Sequence, residues 1–336
     1  MKKCIIILAA LLTGAMQSLA IDDNTVTVVY SGTTATVTVA DNIASYVTVS
    51  SGTSSDVVLV QNTNFAGVNA TDTNTSGEIT YILSGSSEKG SFLLTGSYKC
   101  TISLAGLSLT NTSGPAMTLL NGKRIKVSAK RETTNTLTGT GTATYNGAFY
   151  CKGHVEFQGN GVLNIAGNGY HAVKVKEYVQ VKNLTLNITS ATKDGINCQE
   201  FFWMKSGTVT MSSIGSDGIE VALNGTVSTG EIAATATVDA HEDEDSGNFY
   251  QDGGTLTISL ASGNTTGALI QATGTESHNG GTYNGTSYDT AIKSAKNGID
   301  GSAPEVYDLN GRRIKSGAKG LHIIKQGNTT TKTITK

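Results

Sequence analysis

The sequence predicts an all-β protein folded as a right-handed single-stranded parallel β-helix, which is a solenoid of stacked coils. The first observation is internal repetition, because residues 154–223 divide into three aligned segments of 24, 23 and 23 residues. The second is that apolar residues within each segment occur in pairs two positions apart, a pattern typical of short strands. The third is that equivalent positions share their character, as in the apolar column Val155, Val179 and Phe202.

Stacking explains why the repeat takes this form. One coil cannot bury its own apolar positions, whereas in a stack each inward residue meets its equivalent about 4.8 Å above and below. The alternative is a β-sandwich, which also has many short strands but does not require columns at a fixed period. The composition of 40 Gly, 2 Pro and 15% charged residues in 336 residues agrees with an all-β chain that has a substantial core.

Residues 1–20 have the pattern of a signal peptide. Lys2 and Lys3 precede an apolar run, and Ser18-Leu19-Ala20 forms a small-residue cleavage site. Without these residues the chain has 22 basic and 26 acidic side chains, which gives no reason to propose nucleic acid as a partner. No later stretch is long and apolar enough to span a membrane. The sequence therefore predicts a secreted protein or one on the outer cell surface.

The remaining chain divides into three predicted parts. Residues 21–75 alternate like strands but lack the period, which predicts an N-terminal β cap over the first coil. Coils are predicted over residues 76–302, interrupted after Val221 by an insertion that ends in an acidic run at 239–245. Pro304 marks the boundary of a short C-terminal β tail, residues 303–336, with strands on either side of an Asn-Gly turn.

Three cysteines lie in the region after the signal peptide: Cys100, Cys151 and Cys198. The repeat places Cys151 and Cys198 in one column with Val175 between them, so that two coils separate their sulfur atoms. That separation exceeds the reach of a disulfide. We therefore expect these cysteines to be reduced and to pack in the interior as small apolar residues.

Two similar turns, KDGIN and SDGIE, carry acidic residues one coil apart. Asp194 and Asp217 should place their carboxylates about 5 Å apart, with His171 next in that column, and such carboxylates repel unless a cation or a proton lies between them. The neighbouring outward column contains Lys174, Asn197 and Glu220. The alternative is that Asp-Gly simply forms a tight turn, with Asp bonding the backbone. The sequence leaves both interpretations open. If a cation lies here, the oxygen-rich pattern predicts calcium, and its candidate ligands are Asp194, Asn197, Asp217 and Glu220.

Aromatic residues form a second outward feature. Tyr178 should stack over Phe201, while Trp203 and Tyr250 share another column. Because both neighbours of Trp203 should point inward, Trp203 itself should point outward and be exposed. An exposed aromatic ladder suits the apolar faces of sugar rings, so these four residues are the candidate carbohydrate contacts. The alternative is that the rings cover the sheet or pack under the 222–247 insertion.

Six short segments, taken in their order and spacing, carry a family resemblance: EITYILSG (78–85), NGKRI (121–125), KEYVQVKN (176–183), KDGIN (193–197), SDGIE (216–220) and HEDEDSG (241–247). In these the chain resembles a family of secreted bacterial carbohydrate-binding parallel β-helix proteins of the cellulose- and acid-sugar-binding type. The resemblance implies binding of plant cell-wall polysaccharide, including acidic sugars of the pectin type, with calcium bound on the helix. It also implies that Asp194, Asp217 and Glu220 lie on the calcium side.

The tail carries a second resemblance. Its sequence, YDLNGRRI followed by GLHIIK, is similar to the C-terminal sorting domain of type IX secretion substrates. That resemblance implies that the tail is a signal for export and surface attachment, which would engage the secretion machinery.

The alternative to a non-catalytic binding protein is an enzyme of the pectate lyase or polygalacturonase type. Those enzymes have the same fold as the one that the resemblance implies here. An RxPxxR lyase signature is absent, since Pro115 and Pro304 lack the flanking arginines. The ordered motifs of polygalacturonases are absent as well, so no catalytic residue is predicted. A third class is a structural surface fibre or adhesin, which would need neither a cation nor a sugar.

Overall fold

The computed structural model describes residues 21–62, 78–223 and 247–288, and four pieces of the tail, 305–309, 313–314, 320–326 and 329–335. Regular structure in these residues is β, apart from one 3-10 turn at Asp41–Ile43. No helix in the described part of the chain has the length and apolar character to cross a membrane. The predicted signal peptide, the acidic run at 239–245 and the boundary at Pro304 lie outside the described residues.

The strands are numbered in chain order. The N-terminal strands are β1 (Thr25–Ser31), β2 (Thr34–Val39), β3 (Val47–Ser51) and β4 (Asp56–Gln61). The next strands are β5 (Ile79–Ser87), β6 (Ser91–Thr95), β7 (Cys100–Asn111), β8 (Met117–Leu119), β9 (Ile125–Ala129), β10 (Thr134–Gly139), β11 (Gly147–Cys151), β12 (Val155–Gly159), β13 (Val162–Gly167) and β14 (His171–Val175). They are followed by β15 (Val179–Lys182), β16 (Thr185–Ala191), β17 (Ile196–Cys198), β18 (Phe201–Met204), β19 (Thr208–Ile214), β20 (Ile219–Val221), β21 (Asn248–Gln251), β22 (Thr255–Leu260), β23 (Ile270–Ala272), β24 (Glu276–His278), β25 (Gly281–Tyr283) and β26 (Thr286–Tyr288). The tail contains β27 (Glu305–Tyr307), β28 (Arg313–Ile314), β29 (Gly320–Gln326) and β30 (Thr329–Thr335).

Parallel pairing links strands of successive repeats into three ladders. Ladder one contains β1, β5, β7, β9, β12, β15, β18, β21 and β24. Ladder two contains the end of β7, then β10, β13, β16, β19, β22 and β25. Ladder three contains β4, β6, β8, β11, β14, β17, β20 and β23. Ladders one and two belong to one 17-stranded sheet, and ladder three belongs to a nine-stranded sheet. The fold is all-β, and its large sheet is mostly parallel.

The residue register confirms the predicted apolar columns. Val155 pairs with Val179, which pairs with Phe202, and all three side chains are fully buried. The other columns are Phe157, Val181 and Met204; Leu163, Leu186 and Val209; Ile165, Ile188 and Met211; and Val173, Ile196 and Ile219. Burying one such side chain contributes roughly 1.5–3 kcal/mol, so the aligned columns together form the main core.

The cysteines lie where the repeat places them. Cys151 pairs with Val175 and Cys198 pairs with Val221, and both thiols are buried and free, as is the thiol of Cys100. Burial raises the pKa of Cys151 and of Cys198 to about 12. The prediction that these cysteines are reduced and interior is therefore confirmed.

Antiparallel strands pair with some of the strands at the ends of the ladders. At the N-terminal end, β1 pairs with β2 and β4 pairs with β3, although β1 and β4 themselves continue ladders one and three. At the other end, β26 folds back onto β25. Such pairing covers hydrogen-bonding groups that an open parallel edge would present to other chains. In the tail, the strands β28, β27, β29 and β30 form a separate four-stranded antiparallel sheet.

Candidate functional site

The two Asp-Gly turns lie immediately before β17 and β20, and backbone stacking holds them together. The amide of Gly195 donates to the carbonyl of Asp217 at 2.9 Å. A Cβ atom on Gly195 would lie 2.6 Å from the carbonyl oxygen of Gly218, so a larger residue would push the two turns apart. Glycine after each aspartate therefore permits the close approach that brings the two turns into register.

Three carboxylates meet at these turns. One oxygen from each of Asp194, Asp217 and Glu220 lies within 4.8 Å of the others. Asp194 is buried, whereas Asp217 and Glu220 are partly exposed. The structure thus brings together the three acidic residues that the sequence proposed as calcium ligands, with solvent access from the side of Asp217 and Glu220.

Hydrogen bonds surround Asp194. Its Oδ2 lies 3.1 Å from Nδ1 of His171 and accepts a bond of 2.7 Å from the side-chain amide of Asn197. Its Oδ1 accepts from the backbone amide of Asp217 at 3.1 Å. The Oδ1 of Asp217 in turn accepts from the amide of Ala268 at 2.6 Å. These bonds fix the orientation of both aspartates relative to the backbone of the neighbouring strands.

The surroundings move the pKa values of two of these carboxyl groups in opposite directions. Burial alone would raise the pKa of Asp194, but hydrogen bonds from His171, Glu220 and Asn197 outweigh burial and hold it well below its usual range. Burial, a hydrogen bond with Asp194 and the negative charges of Asp194 and Asp217 raise the pKa of Glu220 to about 7. Burial and the neighbouring carboxylates therefore favour the protonated form of Glu220 more than in an ordinary exposed glutamate.

Asn197 does not present itself as an oxygen ligand. Its amide nitrogen donates to both Asp194 and Glu220, while its Oδ1 accepts from the ammonium of Lys174. Lys174 is itself buried, and burial, followed by the charge of Lys176, lowers its pKa. The side-chain amide of Asn197 would have to rotate before its oxygen could bind a metal ion. Lys174 adds a positive side chain to this group, which the repeat pattern did not predict.

The four candidate aromatic residues form a cluster on the outward face of ladder one. The rings of Tyr178 and Phe201 stack with centroids 4.6 Å apart, and Phe201 meets the edge of Trp203 at 6.5 Å. However, the exposed fractions are only 9% for Tyr178, 1% for Phe201, 5% for Trp203 and 6% for Tyr250. The prediction that Trp203 is exposed is wrong.

Packing explains the burial of Trp203. Besides the ring contacts, its indole N–H donates to Asp252 at 2.8 Å, and the ammonium of Lys205 lies 3.6 Å from the ring centroid. Such a cation–π contact is favourable on the indole face that a sugar ring would otherwise use. The alternative in which these rings cover the sheet therefore fits the burial better than a free aromatic ladder. Direct sugar contact by Tyr178, Phe201, Trp203 and Tyr250 stays a prediction.

A second group of potential ligands was not found from the sequence. Ligand atoms of His154, Glu177 and Glu200 lie within 4.8 Å of one another, just before β12, β15 and β18. A signal was present, because Glu177 and Glu200 end successive repeats 23 residues apart. His154 escapes that comparison because the first repeat is one residue longer and aligns it with Tyr178 instead.

Comparisons with known proteins found a matching family model and a similar solved structure. A family model described as "Carbohydrate-binding domain-containing protein" matches residues 67–330. Among solved structures, the chain is similar to a polysaccharide lyase-like protein from C. thermocellum, determined as a gadolinium derivative. That similarity has a TM-score of 0.55 and 16% sequence identity, and it covers 77% of this chain and 99% of the other. No curated protein matches the sequence. At this identity the structural likeness indicates a shared fold.

Proposed function

Because this chain belongs to the family of carbohydrate-binding domain-containing proteins, we propose that it is a non-catalytic protein that binds plant cell-wall polysaccharide outside the cell. The match over residues 67–330 is the observation that carries this proposal, since it spans strands β5 to β26 and both groups of potential ligands. The proposed glycans include acidic sugars of the pectin type.

We further infer that the three ladders are the faces of a right-handed single-stranded parallel β-helix. The support is the parallel pairing of strands from successive repeats, which in the central part of the chain has a regular offset: Val155 pairs with Val179, 24 residues on, and Val179 pairs with Phe202, 23 residues on. A sandwich of the immunoglobulin type is built from antiparallel strands and does not require this offset. Right-handed winding follows from the general handedness of connections between parallel strands.

Calcium is the proposed cofactor, bound by Asp194, Asp217 and Glu220. The donor set fits, because calcium takes only oxygen ligands and three carboxylates converge here. A divalent ion would also relieve the repulsion among these three carboxylates. Calcium takes six to eight ligands, so water or other oxygen atoms must complete its shell.

An acidic sugar is the proposed source of some of those oxygens. A uronate carboxylate and the cluster of Asp194, Asp217 and Glu220 are both negatively charged, and a calcium ion between them turns repulsion into attraction. Partial exposure of Asp217 and Glu220 gives the sugar a path to the ion. A neutral glucan lacks the carboxylate and gains nothing from this arrangement.

The substitution Asp217→Asn tests this mechanism. It keeps the shape of the side chain but removes a negative charge, so we expect weaker calcium binding and, with it, roughly tenfold weaker binding to polygalacturonate or a larger loss. Binding to a neutral glucan should stay largely unchanged. Calorimetry with calcium, and binding to both polysaccharides with and without EDTA, provide the measurements.

Asp22→Asn, at an exposed position near the N-terminus, is the matched control and should behave as the wild type. Equal calcium affinity in wild type and Asp217→Asn would disprove the calcium site. Equal polygalacturonate binding in EDTA would disprove the bridging mechanism even if calcium binds.

A lyase is the alternative that the similarity to a polysaccharide lyase-like protein keeps open. The same incubations distinguish it, because lyases cleave uronate polymers by elimination and leave unsaturated products that absorb in the ultraviolet. Accumulation of such products in proportion to protein and time would replace the binding function by an enzymatic one. A structural adhesin would bind neither type of polysaccharide under these conditions.

Secretion and surface attachment complete the proposal. Export is supported by the signal-peptide pattern at residues 1–20 and by the resemblance of the tail sequence to a C-terminal sorting domain. We propose that the tail engages the secretion machinery and that the coils face the surroundings of the cell.

A further inference from the structure

We propose that His154, Glu177 and Glu200 form a binding site for a divalent transition metal ion of the zinc class. These residues precede three consecutive strands of ladder one, whereas the Asp194 cluster lies at the start of strands β17 and β20 of ladder three. The proposal is independent of polysaccharide binding and of the calcium site.

The separation of the ligand atoms fits such an ion. Nε2 of His154 lies 3.3 Å from Oε2 of Glu200. One ligand atom from each of His154, Glu177 and Glu200 lies within 4.8 Å of the other two. A tetrahedral zinc ion with bonds of about 2.0–2.2 Å holds its ligands roughly 3.4 Å apart. The histidine and one glutamate thus already have the required spacing, and a small change in side-chain torsion would bring in the second glutamate.

The chemistry of the donor set selects the class of metal. Calcium and magnesium take oxygen ligands, whereas an imidazole nitrogen suits zinc and its transition-metal neighbours. His154 therefore distinguishes this group from the three carboxylates of Asp194, Asp217 and Glu220. Three protein ligands also leave a fourth position of a tetrahedral ion for water or another ligand.

Backbone hydrogen bonds hold His154 and Glu177 in place. The carbonyl of His154 accepts from the amide of Ile125 at 2.9 Å, and the carbonyl of Glu177 accepts from the amide of Gln199 at 3.2 Å. The imidazole ring lies against the ring of Tyr178 with centroids 4.5 Å apart. A histidine oriented in this way loses little conformational freedom when it binds an ion.

Solvent access and local charge are compatible with binding. The side chains of His154 and Glu200 are 27% and 17% exposed, so an ion can reach them. Arg124, at the position equivalent to His154 in the preceding coil, pairs with Glu78 and lies 3.9 Å from Glu156. Its positive charge is therefore compensated by two carboxylates that are not part of the site.

Titration with zinc and cobalt(II) tests the proposal on the untagged chain from residue 21, after removal of bound metals. We expect about one equivalent of either ion by calorimetry, and visible absorption of the cobalt form typical of a four- or five-coordinate site. Replacement of His154 by phenylalanine keeps a ring against Tyr178 but removes the ligand, so cobalt absorption should disappear and zinc affinity should fall about a hundredfold or more. Glu200→Gln, which keeps the side-chain shape, should also weaken zinc binding at least tenfold.

His278→Phe is the matched control. His278 lies 2.9 Å from Glu276, and this pair is not part of any group of three ligands among the described residues. His278→Phe and Asp217→Asn should both keep wild-type zinc affinity, and His154→Phe should keep wild-type calcium affinity. Circular dichroism establishes that each variant is folded, and Glu200→Gln decides the matter if His154→Phe is not.

Three results would overturn the proposal. One is that the wild-type chain shows no saturable binding of zinc or cobalt. Another is that both His154→Phe and Glu200→Gln bind zinc as tightly as the wild type. The third is that excess calcium displaces cobalt from the wild-type chain, which would assign the bound ion to the carboxylate cluster of Asp217 instead.

Discussion

Trp203 shows that a side chain on the outward face of a strand can still be buried. Alternation in β18 places the indole on the outward face, since Phe202 and Met204 on either side belong to the main core. Yet the indole is 5% exposed, because Tyr178, Phe201 and Tyr250 form a second apolar cluster with it. Strand alternation determines which face a residue occupies, but not what packs against that face.

Replacing Trp203 by alanine should therefore cost stability rather than only sugar affinity. Removing a buried tryptophan side chain leaves a cavity and typically lowers the free energy of unfolding by about 3–5 kcal/mol. Trp203→Phe keeps an aromatic ring but loses the bond to Asp252, so we expect a smaller loss. Urea unfolding followed by circular dichroism measures both variants. An alanine variant as stable as the wild type would show that the ring is not part of a packed cluster in solution.

Among the elements, the strands of the repeats were predictable because stacking forces like residues onto like. The column of Leu163, Leu186 and Val209 keeps its apolar character at each coil, and its register follows from the period alone. The antiparallel pairing of β3 with β4 and of β26 with β25 could not be predicted from the repeat pattern. These terminal strands have no equivalents in other repeats with which their residues could be aligned.

The candidate sites differ in the same way. The carboxylates of Asp194 and Asp217 were predicted to meet because the two turns repeat in sequence at the same position of the coil. The hydrogen bond from the ammonium of Lys174 to the side-chain oxygen of Asn197 could not be predicted. It depends on the conformation of the long lysine side chain, which reaches from one strand to the next. Aligned repeats thus predict which residues are neighbours, but they do not predict the hydrogen-bond partner of each polar side-chain atom.

Close stacking of the Asp-Gly turns leads to a prediction for β20 and its turn. A Cβ atom on Gly218 would lie 2.4 Å from the carbonyl oxygen of Leu269 and 2.5 Å from Cγ2 of Ile258. Gly218→Ala should therefore lower the free energy of unfolding by about 1–3 kcal/mol, as overpacking does elsewhere. Gly122→Ala is the control, because no atom lies within 4 Å of its added Cβ. Thermal unfolding of the two variants checks this, and equal midpoints would contradict the packing of the turns.

For the whole molecule, the pairing of strands separates the coils from the tail. Strands β1 to β26 pair within the 17-stranded and nine-stranded sheets, and the four strands β27 to β30 pair only among themselves within the described part of the chain. The matched family model extends to residue 330 and so includes most of the tail. Hydrogen bonding alone therefore predicts that the coils do not need the tail in order to form.

Removal of residues 303–336 tests this division and the proposed role of the tail together. The main apolar core lies in the columns of the ladders, and the edge of β25 is covered by β26 rather than by a tail strand. The truncated chain should therefore keep the β-type circular dichroism spectrum, a cooperative thermal transition and the polysaccharide affinity of the full chain. In cells, it should no longer reach the outer surface, which protease accessibility and labelling of intact cells measure. A chain that fails to fold without the tail would show that the coils depend on it. Normal surface display of the truncated chain would remove the sorting role while leaving the folding prediction intact.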